Sequence, residues 1–451
     1  MKKILLWLIC ISILRGVTYI VITPPWQAPD ETTHFQFIEL LTQRPLSEIR
    51  KIPLHSGGGK YFELERKILA SMKKFKAWQY VGLPTPDPMP DCFFNAPFFV
   101  GSAPKIYRPP LYYLIGASIL KVFHPKELET RLYVARVYSL ILSLGTIIIS
   151  FLIGYLVFKD KTYALMTGVF VSFLPQFMVI GTSVNSDNLV NLLASVFLIY
   201  GVFLLSEKRS NLYLIPIPFL LLVLFLSAKT AVVIAPISIF LFVFQIGKSM
   251  KSFLILILSL LILVSFIPLV EYLLPGTINA ATLTFKWVGG SLYSGIDRGR
   301  GFYDFFFRVL FKSFWFVGGW MQIYCNRWMY TGIGVLCLFS GFGLLRMLWD
   351  RVAKRGEIFT PANPTFLLLI LVVLLAFGAT LSFYGFVRGV LAQGRYLFAA
   401  LPAFAILFIL GLKKVCPRPL TICFPFAFII FMACLDVYAL FACLLPYFRF
   451  K

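Results

Sequence analysis

Apolar stretches about as long as a bilayer is thick recur along this chain, parted by short loops that carry Lys and Arg, and that pattern leaves few folds open. A helix needs about 20 apolar residues to cross a hydrocarbon core of roughly 30 Å, and it must bond its own backbone within the segment. A soluble domain of 451 residues does not carry 59% hydrophobic residues against 14% charged ones. The chain therefore reads as an all-helical, polytopic membrane protein. Its net charge of +23 could suggest nucleic acid. The basic residues, however, gather in short loops between apolar spans, where they mark the cytoplasmic side, and nucleic acid is discarded as a partner.

Residues 4–22 are long enough to span, include Arg15 and lack a small-residue cleavage site, so they read as the first span and not as a cleaved signal. Lys2 and Lys3 then hold the N-terminus in the cytoplasm and send Asp30 and Glu31 outside. Further spans are expected near 134–157, 163–182 and 188–205, two within 212–246 divided at Ala228-Lys229-Thr230, then 253–273, 330–348, 365–385, 396–412 and 421–445, about eleven in all. The apolar run that ends near Phe123 is too short to cross. If it crossed, Lys159-Asp160-Lys161 and most later basic loops would fall outside, so it reads as an interfacial helix. The expected organisation is a first span (1–22), a long external loop (23–131), spans two to seven (132–274), an aromatic-rich external loop (275–328) and C-terminal spans (329–451). Arg449 and Lys451 end outside, a small departure from the charge rule.

The polar segment from Thr23 to Arg108 holds eight of the nineteen acidic residues and so has structure of its own. Short helices are expected over 31–46 and 61–80, with Gly57-Gly58-Gly59 and the Pro-rich run 84–90 breaking any longer one. The second external loop carries Phe302, Tyr303, Phe305, Phe306, Phe307, Trp315, Phe316 and Trp320, which suits the bilayer surface. Of the cysteines only Cys92 and Cys325 map outside, which leaves a disulfide between them open. The three histidines, His34, His55 and His124, form no cluster with metal-ligand spacing, and neither a Walker nor a dinucleotide glycine motif is present, so no metal or cofactor is implied.

Asp30 and Glu31 sit where the chain leaves the first span. A partly desolvated carboxylate there can take a proton from an incoming hydroxyl, and the alternative is an N-cap for the next helix. Arg108, Lys229, Arg388 and Arg395 all map to the external side, against the usual trend. Fixed cations would suit a phosphate leaving group, whereas snorkelling interface anchors are the plainer reading. Asn185 and Asp187 open the fourth span as N-caps or as sugar-binding groups. His34 lies one helical turn after Asp30 and can face the same cavity or bond within the structure. Arg15 and Asp436 lie within spans and must find partners or water.

Taken in order and spacing, Trp26-Gln27-Ala28-Pro29-Asp30-Glu31, Tyr107-Arg108-Pro109-Pro110-Leu111-Tyr112-Tyr113, the stretch Arg131 to Arg136 and Ala228-Lys229-Thr230 resemble the GT-C superfamily of membrane glycosyltransferases. Protein mannosyltransferases and aminoarabinose transferases are among its members. The run Gln393-Gly394-Arg395-Tyr396 is similar to a membrane-protein family grouped with them, and the resemblance covers most of the chain. It implies an inverting glycosyltransferase that passes a sugar from a polyprenyl-phosphate donor to an acceptor hydroxyl at the outer face. Asp30 matches the catalytic base, with Glu31 orienting it or the acceptor. Tyr107 and Arg108 match the border of the cavity and Lys229 a residue near the carrier phosphate; Arg388, Arg395 and Tyr396 are further candidates for binding substrate. The implied partners are the lipid-linked donor, membrane lipids and a glycan, lipid or protein acceptor, in a cytoplasmic membrane of bacterial type with the active site extracytoplasmic. No Asp-x-Asp motif stands in the first loop, which speaks against a metal-dependent mechanism. A transporter or flippase is the competing class, and a noncatalytic scaffold of the same fold is another. The absence of a convincing internal repeat and the gathering of polar groups on one face favour the enzyme.

Overall fold

The computed structural model describes residues 1–51, 60–96, 106, 108–206, 216–227, 237, 241, 300–353, 363–381 and 393–450. The chain opens with α1 (Lys2–Ile22), whose buried face, Leu8, Ser12, Arg15, Gly16, Tyr19 and Ile20, turns into the bundle. The polar segment after it folds as α2 (Glu31–Gln43), α3 (Leu46–Ile49), α4 (Lys60–Lys74) and α5 (Ala77–Tyr80), close to the two helical stretches expected there. Each stretch is interrupted for a local reason. Pro45 forces Arg44 into an extended conformation and ends α2, and Lys76 enters the left-handed region at φ 53° between α4 and α5.

The short apolar run is α6 (Leu111–Phe123), 13 residues ending at His124 with φ 45°. At 1.5 Å per residue it is roughly 20 Å long, short of a crossing. The long helix α7 (Leu128–Phe158) has 31 residues, so at roughly 46 Å its first turns overshoot the hydrocarbon. Those turns carry Arg131, whose Nε donates to Glu39 Oε1 at 2.6 Å and ties α7 to α2.

Residues 163–182, expected as one span, are not one continuous helix. They fold as α8 (Lys161–Ser172) and α9 (Pro175–Gly181), which meet at an angle of 60°. Pro175 cannot supply a backbone N–H to continue α8, and it holds Leu174 extended at φ −73°, ψ 109°. Next come α10 (Asp187–Ser206), α11 (Pro216–Phe225) and α12 (Arg300–Trp315), which feeds a small antiparallel hairpin. The hairpin pairs β1 (Val317–Gly318) with β2 (Ile323–Tyr324), Val317 opposite Tyr324 and Gly318 opposite Ile323. The C-terminal part comprises α13 (Arg327–Ala353), α14 (Asn363–Thr380), a 3₁₀ stretch Gly394–Ala400 running into α15 (Leu401–Val415), and α16 (Phe424–Val437). Through the π-helical stretch Tyr438–Leu444, α16 continues into α17 (Leu445–Phe450).

Among the described residues six helices are long and apolar enough to cross a membrane, or seven if α8 and α9 count as one bent span. The spans expected at 212–246 and 253–273 lie largely outside the described residues. The helices α13 and α15 pack through glycines, since a Cβ on Gly411 would sit 2.1 Å from Ser340 O and one on Gly343 2.0 Å from Gly411 O. Small residues allow this close approach where lipid supplies no hydrophobic drive for helix association.

Arg15 and Asp436, the charges expected within the first and last spans, find each other. Arg15 donates from Nε to Asp436 Oδ2 at 2.7 Å, the Tyr19 hydroxyl donates to Asp436 Oδ1 at 2.9 Å, and Arg15 Nη1 reaches Ser172 O at 2.6 Å. Phe173 lies under the guanidinium, 4.0 Å from ring centre to Cζ. The aromatics of the second long loop are not all at a bilayer surface as expected. Trp315 and Phe316 are buried in the main core, and Trp315 meets Phe170 and Phe408 edge to face. Their rings fill the space where α12 and the hairpin dock on α8 and α15.

Candidate active site

Asp30 occupies the N-cap position of α2 but does not act as a cap. It stands in the left-handed region at φ 61°, and its side chain makes no capping bond. Asp tolerates that conformation better than most residues, yet it remains strained, and strain of this kind gathers at sites where a side chain must point one way. Here the carboxylate turns toward Arg395, whose Nη2 donates to Asp30 Oδ2 at 3.2 Å. Asp187, the first residue of α10, flanks the same guanidinium, with Oδ2 3.8 Å from Nε. Arg395 is 4% exposed, Asp30 23% and Asp187 15%, so two partly open carboxylates sit over one buried cation. Among the described residues Arg395 Nε and Nη1 have no hydrogen-bond acceptor.

Arg395 is held there by the residue before it. A Cβ on Gly394 would fall 2.1 Å from Phe314 N and 2.2 Å from Phe314 Cα, so only glycine lets the chain pass against α12 at this point. The Gly394 N–H donates to Ser313 Oγ at 2.8 Å. The Tyr396 ring lies 5.3 Å from the Arg395 guanidinium carbon.

Glu31 faces the other way and is wholly buried. Arg136 grips it from α7, and the Trp26 and Val184 N–H groups donate to its oxygens at 3.2 and 3.3 Å. The guanidinium also donates from Nη1 to Thr23 O at 2.7 Å and from Nη2 to Pro24 O at 2.9 Å. Glu31 therefore fixes the loop that presents Asp30, with both of its oxygens taken up by Arg136 and the two N–H groups. His34 is also buried, its Nδ1 2.9 Å from the Tyr113 hydroxyl. Burial, partly offset by the Arg108 charge, pushes the Tyr113 hydroxyl up to about 12, so it stays protonated beside the site. Asn185 acts as a turn former, its Oδ1 accepting from the Asp187 N–H at 2.9 Å while its own N–H donates to the Tyr112 hydroxyl at 3.0 Å.

A family model described as "Predicted membrane protein (DUF2142)" matches residues 13–404 of this chain. The chain belongs to the DUF2142 family. No curated protein sequence matches this DUF2142 chain. Among solved structures it is similar to the oligosaccharyltransferase AglB of Archaeoglobus fulgidus, in complex with an inhibitory peptide and a dolichol-phosphate, at 14% identity and a TM-score of 0.50 over 98% of this chain and 55% of that one. An Archaeoglobus fulgidus oligosaccharyltransferase in the apo form gives 15% identity and a TM-score of 0.50, over 98% and 56%. ArnT of Cupriavidus metallidurans in the apo state aligns at 15% identity and a TM-score of 0.42, over 76% and 63%. The DUF2142 chain has the GT-C fold expected from its motifs, and it spans little more than half the length of these oligosaccharyltransferase structures.

Of the residues singled out in the DUF2142 sequence, the fold brings Asp30, Asp187 and Arg395 together, with Tyr396 against Arg395 and His34 behind Tyr113. Arg108 is half-buried, and its carbonyl accepts from Arg50 Nη2 at 3.3 Å. Tyr107, Lys229 and Arg388 lie outside the described residues. Sequence reasoning gave no role to Arg136 or to Tyr112 and Tyr113. An arginine at the head of an apolar helix is costly unless paired, and that was the signal for Arg136. The tyrosines could not be told from ordinary interfacial aromatics.

Proposed function

We propose that this DUF2142 protein is a membrane glycosyltransferase that moves a sugar from a polyprenyl-phosphate donor to an acceptor hydroxyl. The observation that carries the reading is a partly exposed carboxylate, Asp30, held off its own helix and set against a buried guanidinium with nitrogens to spare. The acceptor oxygen attacks the anomeric carbon from the face opposite the phosphate, and the bond from that carbon to the phosphate oxygen breaks. The phosphate leaves with the electron pair on its lipid, and the acceptor proton passes to Asp30. Inversion follows from the single displacement.

Arg395 serves the leaving group. A guanidinium donates along two edges, so it can receive a phosphate without first losing every bond to a carboxylate. As the phosphate draws on Arg395, Asp30 is less held by its cation and becomes the stronger base. Asp187 keeps Arg395 in place through the exchange. Support for a lipid donor comes also from an apolar cavity of about 500 Å³, lined by Phe311, Phe314, Leu344, Phe377, Leu397 and Leu407, which begins two residues beyond Arg395. The AglB structure at a TM-score of 0.50 holds a dolichol-phosphate, a carrier of the same chemical class.

The test is transfer of label from radiolabelled polyprenyl-phosphate sugars in membranes that contain the wild type or Asp30→Asn. The expected result is label leaving the carrier with the wild type and not with the variant, at equal amounts of inserted protein. Equal transfer by both would remove Asp30 as the base. No transfer by either across a set of donors would return the protein to the transporter or scaffold class.

A further inference from the structure

Cys325 follows directly on β2, and Cys443 lies in the π-helical stretch of the last helix, 118 residues further on. Their sulfurs are 3.7 Å apart, the separation of two thiols in van der Waals contact. Cys92, the other cysteine that maps outside in the sequence, is buried, and the sulfur that the fold sets beside Cys325 is that of Cys443. Both thiols belong to the hairpin end of the bundle. The Cys325 N–H donates to the Tyr330 hydroxyl at 3.1 Å, while Trp320 in the hairpin turn donates from Nε1 to Trp26 O at 3.1 Å, four residues before Asp30. Gln322 of the same turn donates to Val81 O and accepts from the Tyr447 hydroxyl at 3.0 Å. The hairpin therefore touches the segment that carries Asp30 on one side and the C-terminal helix on the other.

We infer that Cys325 and Cys443 form a redox-controlled disulfide that fastens this hairpin to the last helix. The reaction is thiol–disulfide exchange with an acceptor disulfide. The thiolate of Cys443, the more exposed of the two, attacks a sulfur of the acceptor and releases one acceptor thiol. The Cys325 thiolate then attacks Cys443 Sγ in the mixed disulfide and releases the second. Two protein thiols are oxidised and one acceptor disulfide is reduced, so protons and electrons balance. Closing the sulfurs from contact to a bond of about 2.05 Å asks for side-chain rotation over a short distance. The closed link ties the end of β2 to a helix that meets the hairpin through the Gln322–Tyr447 hydrogen bond and through apolar packing of Ile323 with Leu440 and Leu444, and it restrains Trp320 over the Asp30 loop.

The inference does not depend on glycosyl transfer, and its test reads no activity. The full-length protein in detergent is treated with oxidised glutathione, its remaining thiols are alkylated, and peptides are mapped by mass spectrometry without reduction. The expected result is a Cys325–Cys443 crosslinked peptide that disappears on reduction and is absent from Cys443→Ser. Oxidation is also expected to raise the thermal midpoint of the wild type and leave that of Cys443→Ser where it was. Separate alkylation or glutathionylation of both thiols, or a link from Cys325 to Cys92, would overturn the assignment. Because Cys443→Ser keeps the size of the side chain, a folded variant with an unchanged reduced midpoint makes the comparison direct.

Discussion

Arg136 holds Glu31 with two guanidinium nitrogens, Nε at 2.9 Å from Oε1 and Nη2 at 2.7 Å from Oε2, across 105 residues of sequence. Neither side chain is more than 1% exposed. Glu31 and Asp30 are neighbours in sequence with separate partners, and the division explains how a short loop can be rigid at one carboxylate and open at the next. Removing one member of a buried pair leaves the other charge unpaired, which costs about 3–5 kcal/mol, whereas replacing both with apolar groups is often near neutral. Glu31→Gln should therefore destabilise the protein in detergent by that order. Arg136→Met combined with Glu31→Leu should recover a large share of the loss. A double mutant no better than the worse single one, measured by thermal unfolding, would mean that the pair holds the fold by its hydrogen bonds to Thr23, Pro24, Trp26 and Val184.

The same reasoning applies to Arg15 and Asp436, which share their intramembrane site with Tyr19 and Ser172. Arg15→Leu alone is expected to lower the yield of folded protein more than Arg15→Leu with Asp436→Leu, because an unpaired carboxylate inside the bundle is worse than none. The measurement is the fraction of protein that elutes as a single species by size exclusion after extraction. Equal loss in both variants would assign the stability to Tyr19 and Phe173 packing.

Glu65 gives a pH test of the long loop. Burial raises its carboxyl above the usual carboxylate range, although the Phe93 N–H and Gln36 Nε2 donate to it at 2.8 and 2.6 Å. A raised value in the folded state means that folding favours the protonated form. The contribution of Glu65 is therefore largest below its unfolded value and is lost as pH rises through the folded one. The stability of the wild type relative to Glu65→Gln should fall as pH rises from the ordinary carboxylate range through the higher value that Glu65 has in the folded protein, and be flat above that. A difference that instead grows with pH would mean that the two donors outweigh burial.

Part of this architecture is written plainly in the sequence. The apolar spans among the described residues, the short apolar helix at Leu111–Phe123, and the fold suggested by the Asp30, Arg108 and Arg131–Arg136 motifs depend on local patterns or on motif order, and both survive without tertiary information. The breaks at Pro45 and Lys76 fall inside stretches expected to be unbroken, although a proline ahead of the second half of the first was in plain view. The bend before Pro175 was also local, but an apolar run of span length hid it. The pairing of Asp30 with Arg395 was not legible, because 365 residues separate them and charge patterning says only that both lie near one face. The burial of Trp315 and Phe316 was missed for a related reason. Aromatic residues suit a bilayer surface and a protein core equally well, and only the docking of α12 distinguishes them. Cys443 was assigned to a span on composition, and its sulfur contact with Cys325 depends on how the last helix lies against the hairpin.

Gly394 is the residue on which the site geometry most depends without carrying any chemistry. A Cβ there would meet Phe314 backbone atoms and not the end of a movable side chain, so Gly394→Ala must shift either α12 or the segment bearing Arg395. Overpacking of this kind costs about 1–3 kcal/mol, and here the displacement falls directly on the cation. The variant is expected to insert and fold with a lower thermal midpoint and to lose donor binding, while Ser313→Ala, which removes the hydrogen bond to the Gly394 N–H and the hydroxyl's own bond to Val309 O without any steric clash, should lose far less. Retained transfer in Gly394→Ala would show that Arg395 can be placed without this close approach.

Arg395 itself separates the two parts of the proposed reaction. If it binds the carrier phosphate through a planar fork, lysine keeps the charge but supplies a single point of contact and cannot face Asp30, Asp187 and a phosphate at once. Arg395→Lys should then raise the donor KM and lower kcat, and Arg395→Ala should do both more strongly, with two buried-facing carboxylates left without their cation. Asp30→Asn should behave differently. Asn accepts the left-handed conformation at φ 61° and there is no capping bond to lose, so the fold is kept. Loss of a general base lowers kcat by about 10²–10⁴, and donor KM should stay near that of the wild type. Steady-state kinetics with a polyprenyl-phosphate sugar distinguish the two patterns. A change confined to KM in Asp30→Asn would make Asp30 a binding group and move the proton acceptor elsewhere, with Asp187, on the other side of the same guanidinium, the next carboxylate to replace.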